Sequence, residues 1–495
     1  MDLKIEPYLY TNLPLLWLTP DIAHTIMEIS TNMSHCTNTD VDMKINHILM
    51  GVKQKWNMFS QYGKLRLFSV NRTTRIVVDL KYNTGGTFMN RFTLPRDLYH
   101  GESALEALKT LKGKRAIVCA GGGSMKKLGF LDRVINYLKE AGMEVELFEG
   151  IEPDPSVETV MRGAEAMQKF EPDWIVAIGG GSPIDAAKAM WVKYEHPEVS
   201  FEDMCKVFGM PKLRNKAHFC AIPTTSGTAT EVTAFSVITD NEKGIKYPLA
   251  DFEITPDIAI VDPELVEALP KHIVANTGMD ALTHAIEAYV STANTDFTDP
   301  LAMHAIEMVE EYLVSSYNGD MEARAKMHNA QCLAGMAFSN ALLGITHSMA
   351  HKTGAAFADY GAHIIHGAAN AMFLPKVIAF NAKDETAKAR YCQIVERMGI
   401  CDKFTTSDEK VKALIEYLRA MNDKLNIPHS IMHCGKSCEP AEQGFIPESV
   451  FLERVGEIAK NAVADACTGS NPRPINVEQM EKLLKCCYYD TEVDF

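Results

Sequence analysis

The sequence predicts an α/β layer followed by an all-helical layer, with an extra segment ahead of both. Three observations carry this. Between residues 89 and 264, short apolar strands alternate with helix-periodic stretches, the pattern of parallel strands covered on both faces. Two of those strands run directly into triple-glycine turns that open helices. From residue 265 to 495 the apolar-periodic stretches are nearly all helical, separated by Gly, Pro and Asn breaks. Such a pair of layers leaves a cleft, where sites concentrate.

Composition fits this class. Of 495 residues, 46% are hydrophobic and 23% charged, which excludes disordered, collagenous and coiled-coil chains. The net charge of −15 excludes a general nucleic-acid partner, although a basic pocket can sit on an acidic surface. Twelve cysteines are too sparse for a disulfide scaffold. The apolar run Leu13–Leu18 is short and follows the acidic Asp2 and Glu6, so no secretory signal is expected. No stretch reaches the ~20 apolar residues of a membrane helix. The expectation is a cytoplasmic protein, off the membrane, with most cysteines as small core residues.

Residues 1–88 mix short apolar runs with Asn, Thr and Gly. Leu65–Val70 and Thr74–Leu80 read as strands about a turn, and Tyr82–Gly86 as another turn. No chemical motif appears there. In the next segment, Arg115–Cys119 is a strand, Leu131–Glu140 a helix and Glu144–Phe148 a strand. Ser156–Phe170 is a helix, Trp174–Ile178 a strand, and Ile184 onward helical.

The glycine turns carry the first chemistry. Gly179, Gly180 and Gly181 permit close backbone approach, Ser182 can cap the helix, and Asp185 and Lys188 follow. Free amides at such a helix start bind phosphate; the alternative is a plain strand-to-helix turn, against which three glycines followed by Ser-Pro, Asp185 and Lys188 weigh. The spaced dinucleotide fingerprint with its ribose-binding acid is absent. At the earlier turn, Gly121, Gly122, Gly123 and Ser124 lead into Lys126 and Lys127. Small residues, a hydroxyl and two lysines suit a 2′-phosphate, where an acid would repel it. A third polar cluster runs Pro223-Thr-Thr-Ser-Gly-Thr-Ala-Thr-Glu231. It reads equally as cofactor contact or as a helix start capped by Thr228 or Thr230.

A metal constellation lies in the helical layer. Asp280 and His284 are four apart on one helix, as are His347 and His351, and His363 with His366 forms a third pair. Carboxylate plus imidazole is a divalent-metal ligand set, though spacing does not say which histidines ligate. His304 and His328 lack such a partner and read as ordinary residues. His433, Cys434 and Cys438 lack the second spaced pair of a zinc site.

Together these motifs resemble the iron-containing (group III) alcohol dehydrogenase family. The matching stretches are Gly179–Lys188, Pro223–Glu231, Gly278–Glu287, His347–His351 and His366–Pro375, in the family's order across about residues 90 to 495. The resemblance implies a Rossmann-like N-terminal nucleotide domain and a C-terminal helical metal domain, the architecture shared with dehydroquinate synthase. It implies one Fe²⁺ or Zn²⁺ on Asp280, His284, His347 and His366, with His351 beside the metal as a candidate proton relay. Gly122, Gly123, Ser124 and Lys127 resemble the loop of NADPH-using butanol dehydrogenases and aldehyde reductases in this family. NADP(H) is therefore expected over NAD(H), with Gly179, Gly180, Gly181, Ser182, Asp185, Thr224, Thr225, Thr228 and Lys246 as further cofactor contacts. The expected substrate is a small alcohol or aldehyde, and the expected assembly a homodimer or larger homo-oligomer. The stretch between His351 and His366 is longer than the family usually has, and His363 falls within it as a competitor for the ligand place, for which the Gly367–Pro375 context favours His366. The rival enzyme reading is a lyase or cyclase resembling dehydroquinate synthase, against which Asp280 and the lysine-rich loop speak. Residues 1–88 have no family counterpart and stand as an extension, an interaction or oligomerisation module being the non-catalytic alternative.

Overall fold

A computed structural model describes residues 64–70, 73–79, 91–242, 245–354, 356–357, 360, 364–401, 405–435, 438, 440 and 445–495. The chain divides into two units, Met1–Arg91 and Phe92–Phe495. In the first, β1 (Lys64–Val70) and β2 (Thr73–Asp79) pair antiparallel, Lys64 opposite Asp79, so both strands expected there are present. The turn expected at Tyr82–Gly86 lies outside the described residues.

The second unit opens with a six-stranded sheet. Its strands are β3 (Asp97–His100), β4 (Arg115–Gly121), β5 (Glu144–Ile151), β6 (Trp174–Gly179), β7 (His218–Pro223) and β10 (Ile258–Val261). They are ordered β3-β10-β7-β6-β4-β5, and every pair is parallel. The strands β8 (Phe235–Asp240) and β9 (Ile245–Ala250) form a separate hairpin. β6 is buried throughout and β4 at all but its ends, which is why both read as unbroken apolar runs. Two apolar cores lie on the sheet's two faces. One contains Ile117, Ile175 and Trp191; the other contains Val118, Val176 and Leu131.

Helices connect the strands: α1 (Ser124–Lys127), α2 (Phe130–Glu140), α3 (Val157–Phe170), α4 (Gly181–Glu195) and α5 (Phe201–Met204). Ser156 caps α3 by accepting from the Thr159 amide. From β4 the chain steps outward to β5, then returns to the other side of β4 at β6. The topological switch point therefore lies between β4 and β6, the position where open α/β sheets bind ligands. The two triple-glycine turns follow these two strands.

The helical layer comprises α6 (Lys271–Val290), α7 (Asp299–Tyr317), α8 (Met321–Ala341), α9 (Ile345–Thr353) and α10 (His366–Asn381). It continues through α11 (Glu385–Met398), α12 (Ser407–Lys424), α13 (Glu448–Val463) and α14 (Val477–Tyr489). α6 and α10 are buried on nearly all sides, so they form the middle of this core rather than its amphipathic rim. The described cysteines are free, and all but Cys205 and Cys401 are buried. No helix among the described residues is long and apolar enough to cross a membrane.

Candidate active site

The polar centre of the helical layer is built by three helices. α6 supplies Asp280 and His284, α9 supplies His347 and His351, and α10 begins with His366. Oδ1 of Asp280 lies 3.7 Å from Nε2 of His347 and 3.6 Å from Nε2 of His366. These three residues can offer ligand atoms that all lie within 4.8 Å of one another. The Asn370 side-chain amide sits among them, its Nδ2 2.8 Å from Asp280 Oδ1, 3.1 Å from His347 Nε2 and 3.2 Å from His366 Nε2. An amide has two hydrogens, and three acceptor atoms face it. With His347 neutral the centre has more acceptor lone pairs than hydrogens to meet them, and its ligand atoms are those of a divalent-cation site.

Its electrostatics agree. Burial alone would disfavour a charged His347, yet hydrogen bonds and charge from Asp280 and Glu287 raise it to about 9. Burial would raise Asp280, but His284, His366 and His347 hold it well below the carboxylate range. The pocket therefore favours positive charge, and a metal binding there would compete with a proton. Burial lowers His366 well below its ordinary value and His284 to about 4, which keeps their lone pairs free.

Two further contributors stand outside the spaced Asp and His pairs. Glu287 lies two turns after Asp280 on α6, and its carboxylate accepts from His347 Nδ1 (2.6 Å), Gly344 N (3.0 Å) and Thr346 N (2.8 Å). This bond fixes the proton of His347 on Nδ1 and aims Nε2 at Asp280. Asn370 is four residues after His366. The i,i+7 and i,i+4 spacings are the signals that point to each.

His284 is adjacent to the tight cluster rather than within it. Its ring stacks on His347 at 4.4 Å and on Phe338 at 4.2 Å, and its buried Nδ1 has no partner. His351 is half-buried, its ring parallel to His366 at 5.2 Å and its Nδ1 3.3 Å from Asp465 Oδ2. His363 lies outside the described residues. His304 is exposed and faces Glu307, while His328 is buried with Nδ1 3.1 Å from the Ser226 hydroxyl. Cys434 and Cys438 join none of the metal-type groups among the described residues, and Cys438 Sγ accepts from the Ile365 amide.

At the switch point, the expected cofactor residues gather from separate loops. A Cβ on Gly180 would lie 3.3 Å from Thr225, and one on Gly181 would lie 3.0 Å from Thr228, so glycine there lets the threonine loop close over the turn. Thr224 N donates to Gly179 O at 2.9 Å, and the buried Thr225 hydroxyl has no partner. Gly122, Ser124 and Lys127 are exposed, and Gly123 takes φ 89°, a left-handed conformation suited to glycine. Lys126 instead pairs with Glu149 at 3.0 Å. Lys246 pairs with Asp154 at 2.8 Å. The Asp185 carboxylate accepts from the Thr230 hydroxyl (2.6 Å) and the Val237 amide (3.1 Å), which ties it to the protein.

Two local expectations are corrected. Ser182 does not cap α4: Gly180 holds the cap position, and the Ser182 hydroxyl accepts from Asp154 N at 3.3 Å. Neither Thr228 nor Thr230 caps the turn Thr230–Val232, because Ala229 takes that position at φ 53° without a side-chain cap.

The iron-containing alcohol dehydrogenase model matches residues 95–263, and the Fe-containing alcohol dehydrogenase C-terminal model matches residues 274–488. The NADPH-dependent butanol dehydrogenase of Clostridium saccharobutylicum is 60% identical over 82% of this chain and all of its own length. The chain belongs to the iron-containing alcohol dehydrogenase family. It is therefore an oxidoreductase, and the lyase alternative is not favoured. The bifunctional aldehyde-alcohol dehydrogenase of Escherichia coli is 39% identical over 80% of this chain, which spans 46% of that longer protein. Among solved structures, the iron-containing alcohol dehydrogenase of Thermococcus thioreducens superposes with a TM-score of 0.71 at 35% identity. It covers 81% of this chain and all of its own. A 1,3-propanediol oxidoreductase gives 0.72 at 30% identity over the same shares.

Proposed function

We propose that this enzyme transfers hydride reversibly between NADP(H) and a small primary alcohol or aldehyde at one divalent metal, Fe²⁺ or Zn²⁺. The observation that carries this reading is the convergence of Asp280, His347 and His366 on a single acceptor-rich point. The names of the family and of its 60% identical relative support iron and NADPH respectively. Asp280, His347 and His366 would hold the ion, with His284 as fourth ligand from the turn of α6 after Asp280. The metal would polarise the carbonyl oxygen, and the nicotinamide would supply or accept the hydride.

The protein's own residues do the rest. Amides of Gly179, Gly180, Gly181 and Ser182 at the start of α4 bind the cofactor's phosphates. Gly122, Gly123, Ser124 and Lys127 receive the 2′-phosphate. Thr224, Thr225, Thr228 and Lys246 hold the part nearer the nicotinamide, with Asp185 bracing the threonine loop through Thr230. Glu287 keeps His347 in its ligating tautomer. His351 relays the alcohol proton to solvent. The domain division follows as residues 1–88, an extension; 89–264, cofactor binding; and 265–495, metal and catalysis. The enzyme is read as a cytoplasmic homo-oligomer.

Metal analysis of the purified protein, combined with kinetics on NADPH and NADH, tests the reading. About one bound metal per chain and a preference for NADPH are expected. His284→Ala or His366→Ala should lose metal and activity together; full activity in a metal-free His284→Ala protein would sink the proposal.

A further inference from the structure

His351 has one protein partner that the reaction does not otherwise use. Its Nδ1 lies 3.3 Å from Oδ2 of Asp465, at the start of the short turn Ala466–Ser470 that follows α13. The Asp465 side chain is fully buried. Oδ2 also takes the Lys352 ammonium at 2.9 Å, and Oδ1 accepts from the Cys467 amide at 3.1 Å. Lys352 donates in turn to the backbone oxygen of Lys246 on β9 at 3.3 Å. The same carboxylate therefore ties His351 to the strand that carries a candidate cofactor residue.

Lys352 alone would balance the buried charge of Asp465. The imidazole contact is additional, and it involves one ring nitrogen only. That arrangement sets a histidine's tautomer and ring plane, as in metal centres and catalytic triads. We infer that Asp465 is a positioning residue for His351: it holds the proton on Nδ1 and the ring against His366, leaving Nε2 free for the relay. The inference rests on the reading of His351 as that relay.

The test compares wild type, Asp465→Asn, His351→Ala and the double variant, each checked for metal content and Tm. Asp465→Asn should keep its metal and its KM for NADPH and lose about tenfold or more in kcat. In the His351→Ala background it should cost nothing further. A second readout needs neither metal nor turnover. Nitrogen-15 histidine spectra of the metal-free protein, taken at alkaline pH with His351 assigned by its loss in His351→Ala, should report the Nδ1–H tautomer in wild type. Asp465→Asn should report a mixture of tautomers. If Asp465→Asn does not fold, Asp465→Glu keeps the charge, shifts the carboxylate by one methylene and enters the same comparison. An unchanged tautomer, an unchanged kcat or full additivity with His351→Ala overturns the inference. Wild-type kcat in His351→Ala instead overturns the reading of His351, whatever the spectra show.

Discussion

Replacing Gly367 by alanine should take the metal centre apart while leaving the cofactor loops alone. Gly367 follows His366 in the first turn of α10, where that helix crosses α6. A Cβ at Gly367 would lie 2.1 Å from the backbone oxygen of Asn276 and 2.7 Å from its carbonyl carbon, whereas real Cβ contacts essentially never fall below 3.0 Å. α10 must therefore retreat from α6 by at least the difference, about 0.9 Å, because the obstacle is backbone and cannot rotate away. That retreat lengthens the 2.8 Å bond from Asn370 to Asp280 beyond hydrogen-bond range and draws His366 from its partners. Overpacking of this kind costs about 1–3 kcal/mol, and a misplacement of about 1 Å at a reacting centre costs on the order of 10²-fold in rate. Gly278→Ala is the control. Its Cβ would also meet an atom at 2.1 Å, but that atom is Cδ1 of Leu313, the end of a side chain that can turn. The assays are metal content by mass spectrometry, denaturant unfolding, and kcat/KM with the KM for NADPH. Gly367→Ala should lose metal and about 10²-fold in kcat/KM at unchanged NADPH KM, and Gly278→Ala should stay within a few-fold of wild type. Wild-type metal content and kcat/KM in Gly367→Ala would refute the close-approach argument.

Two further predictions use the polar contacts. Glu287→Gln should weaken metal binding by about 10–100-fold in a chelator competition, because in either orientation its amide N–H meets at least one of the three N–H groups that now donate to the carboxylate. His328 is fully buried and its folded-state value is lowered by burial to about 3, against 6.5 unfolded. As pH falls from about 6.5 towards 3, the unfolded chain gains a proton that the folded one does not. Stability is thus lost on acidification, by an amount on the order of a few kcal/mol. His328→Gln should flatten that slope in unfolding curves at pH 4.5, 5.5 and 7, and an equally steep slope would exclude His328 as its source.

Much of the fold is legible because burial on both faces writes itself into sequence. β4 and β6 are near-continuous apolar runs since helices cover both sides of them, and the glycines after them mark the turns. Helix ends read less well. Ser182 and Thr230 have the right chemistry for caps, but Gly180 and Ala229 take those positions, because the backbone path where the threonine loop meets the glycine turn decides them. In the site, Asp280, His284, His347 and His351 stand out through i,i+4 spacing, which is local. Asp465 does not stand out, because its bond to His351 spans 114 residues and no spacing on its own element marks it.

Glu287 shows why the centre lies where three helices meet. Its carboxylate accepts the amides of Gly344 and Thr346 at the start of α9 and so serves as the cap that α9 lacks from its own cap residue. Gly344 has no side chain because a Cβ there would lie 2.8 Å from that carboxylate. The same oxygen that takes the Gly344 amide takes the proton of His347. Starting α9 and orienting His347 are therefore one interaction seen from two residues. A chain that loses it should lose helix position and ligand geometry together. Stability and metal affinity should then fall in parallel in Glu287→Gln, whereas His347→Ala, which leaves the cap in place, should lose metal with the smaller loss of stability.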